Sequence, residues 1–396
     1  MARKLCIVGG GPAGMMAGYL FARAGVDTLV LEKHGDFLRD FRGDTIHPST
    51  LELFAEIGLL SGLLERPHGK LRTMSAVINR RSFRIADFSH LPVRSRFIAM
   101  MPQWELLDFL AGEARKLPNF ELRMGTEATG LIVENNRALG VTTNRGDVRA
   151  DLTIAADGRD SVLREGARLK RHDLGAAIDV FWFRIPKAES PDNRSTAYLG
   201  AGEMLVTIDR GDYFQCGRMI AQGSADRVRG LGLQRFRSDI GKIAPILAGW
   251  LDGIDDWEKV QLLSGSLDRL GRWWRPGFLA IGDVAHAMSP IGGVGINLAI
   301  QDAVAAANIL AVPLAEGRDV TPLLQRVQAR RRFPVRVTQS IQRMIHDRVI
   351  GAVFRSDKLR PSLLLRLVNA VPLLQRIPAR IIGLGVRREK VRSPEA

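Results

Sequence analysis

The chain opens with an unbroken apolar run, Leu5-Cys6-Ile7-Val8, that stops at Gly9-Gly10-Gly11-Pro12-Ala13-Gly14. A short apolar run bounded by glycines predicts a strand buried on both faces. Met15 to Ala24 is apolar and compatible with a helix, and Gly25 closes it. A second apolar run, Thr28 to Leu31, leads into Glu32 and Lys33. The order is strand, glycine turn, helix, strand, acid.

Further along, Pro48 and Ser49 start a helix over Thr50 to Leu60, with Leu51, Phe54, Ile57 and Leu60 on one face. Residues 71–88 alternate with period two and predict a hairpin with Arg80-Arg81 near its turn. Trp104 to Lys116 reads as an amphipathic helix. Residues 121–124, 128–134 and 138–143 read as strands around Glu134-Asn135-Asn136. Leu152 to Ala156 is a buried strand ending at Asp157-Gly158. From 175 to 265 short strands dominate, interrupted by one helix at about 230–249. Phe278 to Ile281 is again a buried strand, followed by Gly282-Asp283. A glycine-rich turn, Pro290 to Gly295, leads into a helix over Asn297 to Leu310. The remainder is helical and punctuated by Pro334, Pro361, Pro372 and Pro378.

This alternation predicts an α/β protein in three parts. Residues 1–70, 101–174 and 275–330 form a discontinuous Rossmann-like domain. Residues 71–100 and 175–274 form an inserted β-rich domain, and 331–396 a basic helical region.

Composition is ordinary for a globular protein, but charge is not evenly placed. The net charge is +15, and residues 330–396 hold 16 Lys and Arg against 4 Asp and Glu. An apolar band with arginines beside it runs through Leu363, Leu364, Leu365, Leu367, Val368, Val371, Leu373, Leu374, Ile377, Ile381, Ile382 and Leu384. Two readings account for it. Residues 361–392 either lie against a membrane surface or pack on the nucleotide domain with a solvated basic face. Charge alone, without a recognised motif, does not make a nucleic-acid binder. Two cysteines, Cys6 and Cys216, and no metal-type spacing suit a reducing cytoplasm and no metal site. No run of about 18 uninterrupted apolar residues predicts a spanning helix.

The chemistry begins at Gly9-x-Gly11-x-x-Gly14, the dinucleotide fingerprint. Gly9 permits the tight turn, Gly11 lets backbone approach a pyrophosphate, and Gly14 lets helix and strand pack closely. With Pro12 and Ala13 they present the helix N-terminus to phosphate. Glu32 stands where a carboxylate accepts ribose hydroxyls. Three loops, Gly9 to Gly14, Asp157-Gly158 and Gly282-Asp283, follow buried strands, where ligands bind in open α/β sheets. One extended cofactor such as FAD would touch all three. Gly292, Gly293 and Gly295 would turn backbone N–H groups toward a flat ring.

Taken together, Gly9 to Gly14, Ala156-Asp157-Gly158-Arg159-Asp160-Ser161-Val162-Leu163-Arg164 and Gly282-Asp283-Val284-Ala285-His286…Pro290 to Asn297…Asp302-Ala303 resemble the three signatures of the class A, para-hydroxybenzoate hydroxylase-like, FAD-dependent monooxygenases. Val284, where many members have alanine, is a mild departure. The resemblance implies that Glu32 and Lys33 meet the adenosine end and that Arg42 and Gln103 reach FAD. Asp157 would lie by the pyrophosphate and Asp283 by the ribityl or ribose hydroxyls. Pro290, Gly292, Gly293, Gly295, Ile296 and Asn297 would line the isoalloxazine. It also implies that NAD(P)H reduces the flavin and that O2 adds to give a C4a-hydroperoxide. That species hydroxylates or epoxidises a hydrophobic, aromatic small molecule. The alternatives are a reductase of the same fold, such as a prenyl-chain reductase, and a non-catalytic flavin-binding sensor. No catalytic triad is expected. His47 is a candidate for helping a phenol lose its proton, against a structural role. His286 reads as a packing residue, Asp44 as a cofactor contact or turn cap, and Trp273-Trp274 as core or edge packing. The aromatics at 181–183 and 213–214 read as strand core or substrate pocket.

Overall fold

The computed structural model describes residues 3–38, 45–175, 178–187, 195–200, 202–355 and 359–396. Arg42 and Asp44 lie outside the described residues.

The apolar runs become the centre of an eight-stranded sheet. Its order is Trp274–Arg275, Phe278–Ala280, Val148–Ala155, Arg3–Val8, Thr28–Leu31 and Phe120–Arg123. The last five are parallel, and the antiparallel strands Arg137–Thr143 and Ala128–Glu134 branch from Val148–Ala155. Leu5, Cys6, Ile7, Leu152, Ile154 and Leu279 are fully buried, because helices cover the sheet. Register decides where the chemistry goes. Val8 pairs with Leu31 and Ala155, and Ala155 with Ala280. The loops that follow these strands therefore leave the sheet along one edge.

The helix Pro12–Arg23 packs on this sheet, and the 21-residue helix Gly295–Ala315 packs on that helix. An apolar stretch long enough to cross a membrane occurs at Ile291–Ala315, but its most apolar window is 72% buried in the core.

A second, seven-stranded sheet has the order Gln261–Ser264, Ile178–Pro186, Tyr213–Ala221, Glu203–Asp209, Thr196–Gly200, Thr73–Ile78 and Arg81–Asp87. The hairpin at 73–87 thus joins the strands of 178–264, with Asn79 and Arg80 at positive φ in its turn. Period-two alternation sorts the aromatics of one strand onto opposite faces. Phe181 and Phe183 enter a core with Phe214, Phe236 and Ile240. Trp182 turns the other way and joins the cluster of Ile178, Val180, Met219 and Ile350, on which Met204, Val206 and Ile291 also pack. The helix expected at 230–249 is divided. Ala225–Gly230 and Leu233–Ile243 are separated by Gly232 at φ 84°, and Pro245 starts a 3-10 stretch through Gly253. Trp273 is 2% exposed in the nucleotide-domain core, and Trp274 lies on that sheet's antiparallel edge strand.

Of the four prolines expected to punctuate the basic region, Pro361 and Pro372 lie at helix starts, but Pro334 and Pro378 do not break their helices. Thr321–Ile345 is one helix running through Pro334, and Pro372–Gly383 runs through Pro378. Leu363–Ala370 and Pro372–Gly383 pack on the edge strand Arg81–Asp87 of the second sheet. The final segment returns to the nucleotide domain, on which Thr321–Ile345 also packs. There Glu389 meets Arg330 and Arg331, and the Ala396 N–H donates to the Arg23 carbonyl at 2.9 Å.

Candidate active site

Close packing, not only strand register, brings the three loops together. Gly9 has φ 103°, and a Cβ there would stand 2.4 Å from the Ala156 carbonyl oxygen. A Cβ on Gly14 would stand 1.8 Å from the Gly9 carbonyl oxygen. These two positions exclude any side chain. At Gly282, a Cβ would approach Ala13 and Ala299 at 3.2 and 3.3 Å. The Gly282-Asp283 turn therefore sits between the starts of the two long helices.

The helix Pro12–Arg23 begins without a side-chain cap, and a Cβ at Gly11 meets nothing within 4 Å. Its free N–H groups and positive dipole end suit a pyrophosphate. Glu32 is 8% exposed and braces the loop: Oε2 accepts the Gly10 N–H at 2.8 Å, and Oε1 accepts the His34 N–H at 3.0 Å. Lys33 is exposed, and Gln103 opens the helix Gln103–Ala114 half-buried.

Asp157 abuts the Gly9 turn. Its Oδ1 is buried without a hydrogen-bond partner, and burial raises its pKa to about 6, against the lowering pull of Ser161, Arg164 and Lys33. A buried carboxylate oxygen with spare acceptor capacity beside an uncapped helix is a fitting seat for a cofactor's hydroxyl or amide groups. Asp283 is half-buried, and Arg159 donates to its Oδ2 at 3.1 Å. The same guanidinium reaches the carbonyls of Ser264 and Met288. Arg159 thereby joins both sheets at the loop edge. The sequence pattern did not single it out, although it follows Asp157-Gly158 directly.

The turn over Pro290 to Gly295 is shaped by Gly292 at φ 77° and Gly293 at φ 59°. The Gly293 N–H donates to the Pro290 carbonyl at 3.2 Å, and the Thr45 hydroxyl donates to the Gly293 carbonyl at 2.9 Å. A Cβ at Gly295 meets nothing within 4 Å, so the start of the helix Gly295–Ala315 is as accessible as Gly11. Ile296 packs against the nucleotide-domain core. The Asn297 side chain is 4% exposed and committed to protein partners. Its amide joins His47, Thr50, Thr45 and Gly293, leaving its backbone for a ring.

His47 is 1% exposed, and its Nδ1 lies 2.8 Å from the Ile382 carbonyl oxygen. Burial lowers its pKa to about 4, with the Ile382 and Gly292 carbonyls opposing less strongly. At neutral pH its imidazole is uncharged, wedged between the C-terminal helix and the glycine turn. His286 contacts the Asp302 carboxylate, which also accepts the Gly282 N–H at 3.1 Å and the Arg331 Nε–H at 2.8 Å. Burial alone would raise the Asp302 pKa, but His286 and Arg331 hold it below the usual range. Ser289 and His346 form a further contact, 2.9 Å between Oγ and Nε2.

Two uncapped helix starts, a braced glycine loop and two carboxylates on one sheet edge match an elongated dinucleotide in size and polarity. Residues 3–341 match the family model described as FAD binding domain. The chain belongs to this family, and its class is that of the FAD-dependent class A monooxygenases. It is 31% identical over 98% of its length to 6-methylpretetramide 4-monooxygenase of Streptomyces rimosus, of which it covers 94%. Rifampicin monooxygenase of Streptomyces venezuelae is 28% identical over 75% of the chain, which covers 61% of that relative. PqsL of P. aeruginosa, solved with 2-aminobenzoylacetate, shares the fold at 19% identity and a TM-score of 0.78, over 90% of this chain and 97% of that one.

Proposed function

We propose that this flavin-dependent monooxygenase takes its electrons from NAD(P)H and inserts oxygen into a hydrophobic, polycyclic aromatic substrate. The observation carrying this reading is the juxtaposition at the second sheet. Its face bearing Trp182, Met204 and Val206 shares one apolar cluster, around Val180, Met219 and Ile350, with Ile291, inside the glycine turn that follows Pro290. An apolar sheet face against the proposed ring site suits a flat, apolar substrate. The relative acting on 6-methylpretetramide, similar over nearly the whole chain, supports the polycyclic class.

In this reading Gly9, Gly11, Pro12, Ala13 and Gly14 cradle the pyrophosphate. Glu32 and Lys33 face the adenosine end, and Arg42 and Gln103 complete the cofactor contacts. Asp157 and Asp283 take the linking hydroxyls, with Arg159 fixing the Asp283 carboxylate. Bound FAD supplies the redox chemistry and oxygen activation. The protein holds it in register and excludes water. Backbone N–H groups over Gly292 to Gly295, at the positive end of a long helix, stabilise negative charge on the ring. Pro290, Ile296 and the Asn297 backbone complete that wall. The neutral, hydrogen-bonded His47 fits a structural role better than that of a base. A cytoplasmic setting is supported by the buried thiols of Cys6 and Cys216.

The test is anaerobic and aerobic turnover of the purified holoprotein with NADH or NADPH and a panel of polycyclic phenols, with isotopically labelled O2. Labelled oxygen in the product is expected. Product formed without O2 would move the protein to the reductase reading, and bound FAD without turnover to the sensor reading.

A further inference from the structure

The two C-terminal helices leave one face of the molecule apolar and cationic. On Pro372–Gly383 the inward side is Gln375, Ala379 and Gly383, all buried. A Cβ at Gly383 would stand 2.7 Å from Leu91 and 3.2 Å from Phe88. The opposite side carries Leu373, Ile377 and Ile381, spaced by four residues and 63%, 57% and 44% exposed. On Leu363–Ala370, Leu365 packs inward, while Leu363, Leu364 and Leu367 are 83%, 70% and 52% exposed. With Val371, seven of the 17 exposed large hydrophobics among the described residues fall between 363 and 381. Scattered exposed leucines need no explanation, but a contiguous strip on consecutive helices marks a contact surface.

Charge selects what covers it. From Leu359 to Arg388 the chain has no Asp or Glu and carries Arg360, Arg366, Arg376, Arg380, Arg387 and Arg388. Arg376 and Arg380 flank the Leu373, Ile377, Ile381 stripe one residue back, and both are exposed. A second copy of the chain would set these arginines against themselves. A lipid surface accepts both components, acyl chains taking the leucines and isoleucines and anionic headgroups the guanidinium groups.

We propose that this face docks on an anionic lipid bilayer, with Pro372–Gly383 lying in the headgroup plane. The helices of 8 and 12 residues are too short to span and suit an interfacial position. The inner side of the lipid-facing helix is the side that reaches the site, since the Ile382 carbonyl oxygen meets His47. Docking therefore sets the bilayer one helix away from the glycine turn. The surface and its test are independent of the reaction proposed above.

The experiment is co-sedimentation of the full-length holoprotein with vesicles of phosphatidylcholine alone or mixed equally with phosphatidylglycerol. Binding is expected only to the mixed vesicles and falls as salt rises. R376Q/R380Q weakens it by about fivefold per arginine, and L373S/I377S/I381S abolishes it. Both variants keep their FAD absorbance and thermal midpoint, because these side chains point away from the core. The proposal is overturned by absence of binding at low salt, or by equal binding of wild type and both variants. A dimer that dissociates in the triple-serine variant, without vesicle binding, would also overturn it and assign the face to a second copy.

Discussion

The Asn297 side chain holds the His47 backbone across 250 positions of sequence, its Oδ1 accepting the His47 N–H at 2.8 Å. The same oxygen accepts the Thr50 hydroxyl at 2.8 Å, and Nδ2 donates to the Thr45 and Gly293 carbonyls at 3.0 Å each. One amide thus fastens the glycine turn to the segment before the helix Pro48–Glu56. Asn297→Ala leaves two donors and two carbonyls without this partner in a buried place. A loss of about 2–4 kcal/mol is expected, read by denaturant unfolding of the apoprotein, with weaker FAD retention. Unchanged stability would show that water replaces the amide.

Two glycines of one loop are expected to behave differently. At Gly11 a methyl group has room and the backbone is extended, whereas at Gly14 it would strike the Gly9 carbonyl oxygen. Gly11→Ala should keep the apoprotein's thermal midpoint and lose FAD affinity, measured by flavin fluorescence titration. Gly14→Ala should fail at the level of folding. Normal FAD binding by Gly11→Ala would remove the pyrophosphate from this loop.

The pH dependence of stability carries the mark of His47. Its folded pKa, about 4, lies below the ordinary histidine value of 6.5. The unfolded chain therefore binds the extra proton between these values. Stability from neutral burial of the ring is complete above pH 6.5 and lost as pH falls toward 4. On the order of 3 kcal/mol is at stake. Asp157 works in the opposite sense, because its raised pKa makes stability fall as pH rises toward 6. The informative quantity is the difference between wild type and His47→Gln. It should shrink steadily from pH 7 to pH 4 in urea unfolding, and a pH-independent difference would refute neutral burial.

Arg331 is fully buried between Asp302 and Glu389. Arg331→Met leaves the buried Asp302 with His286 but no guanidinium, and Glu389 with Arg330 alone, and should cost about 3–5 kcal/mol. Glu389→Gln should cost less and release the final segment, seen as faster cleavage near the C-terminus by limited proteolysis. Equal protease resistance would show that the segment is held mainly by its other contacts, such as Val391 to Glu56.

Much of the nucleotide domain was legible because buried parallel strands are apolar runs ending at glycine or an acid. Strand ends read at Val8, Ala156 and Ile281 fall at or within one residue of the observed Val8, Ala155 and Ala280, and the loops after them fell into the same site. The hairpin at 73–87 was legible from alternation. Other features depend on tertiary packing. Pro334 does not end its helix, since the helix is held on both sides of it by Val327, Gln328, Val335 and Gln339 in the core. Trp182 differs from Phe181 and Phe183 only by strand parity, and local sequence does not reveal which face meets the glycine turn. Arg159 and Asp283 are 124 positions apart, so spacing could not announce their pairing. The C-terminal apolar band suited packing or lipid, and the structure divides it, with Leu365, Ala379 and Ile382 turned inward and Leu373, Ile377 and Ile381 outward.

The contact between Arg23 and Glu395, 2.7 Å across 372 positions, sets an order on biosynthesis. The helix that begins at the glycine loop is synthesised 372 positions before the partner on its far end. The Phe278–Ala280 strand and the Gly282 turn, which close the same loop, also arrive late. The glycine loop therefore closes only when segments separated by most of the sequence, with the whole second sheet inserted between them, have come together.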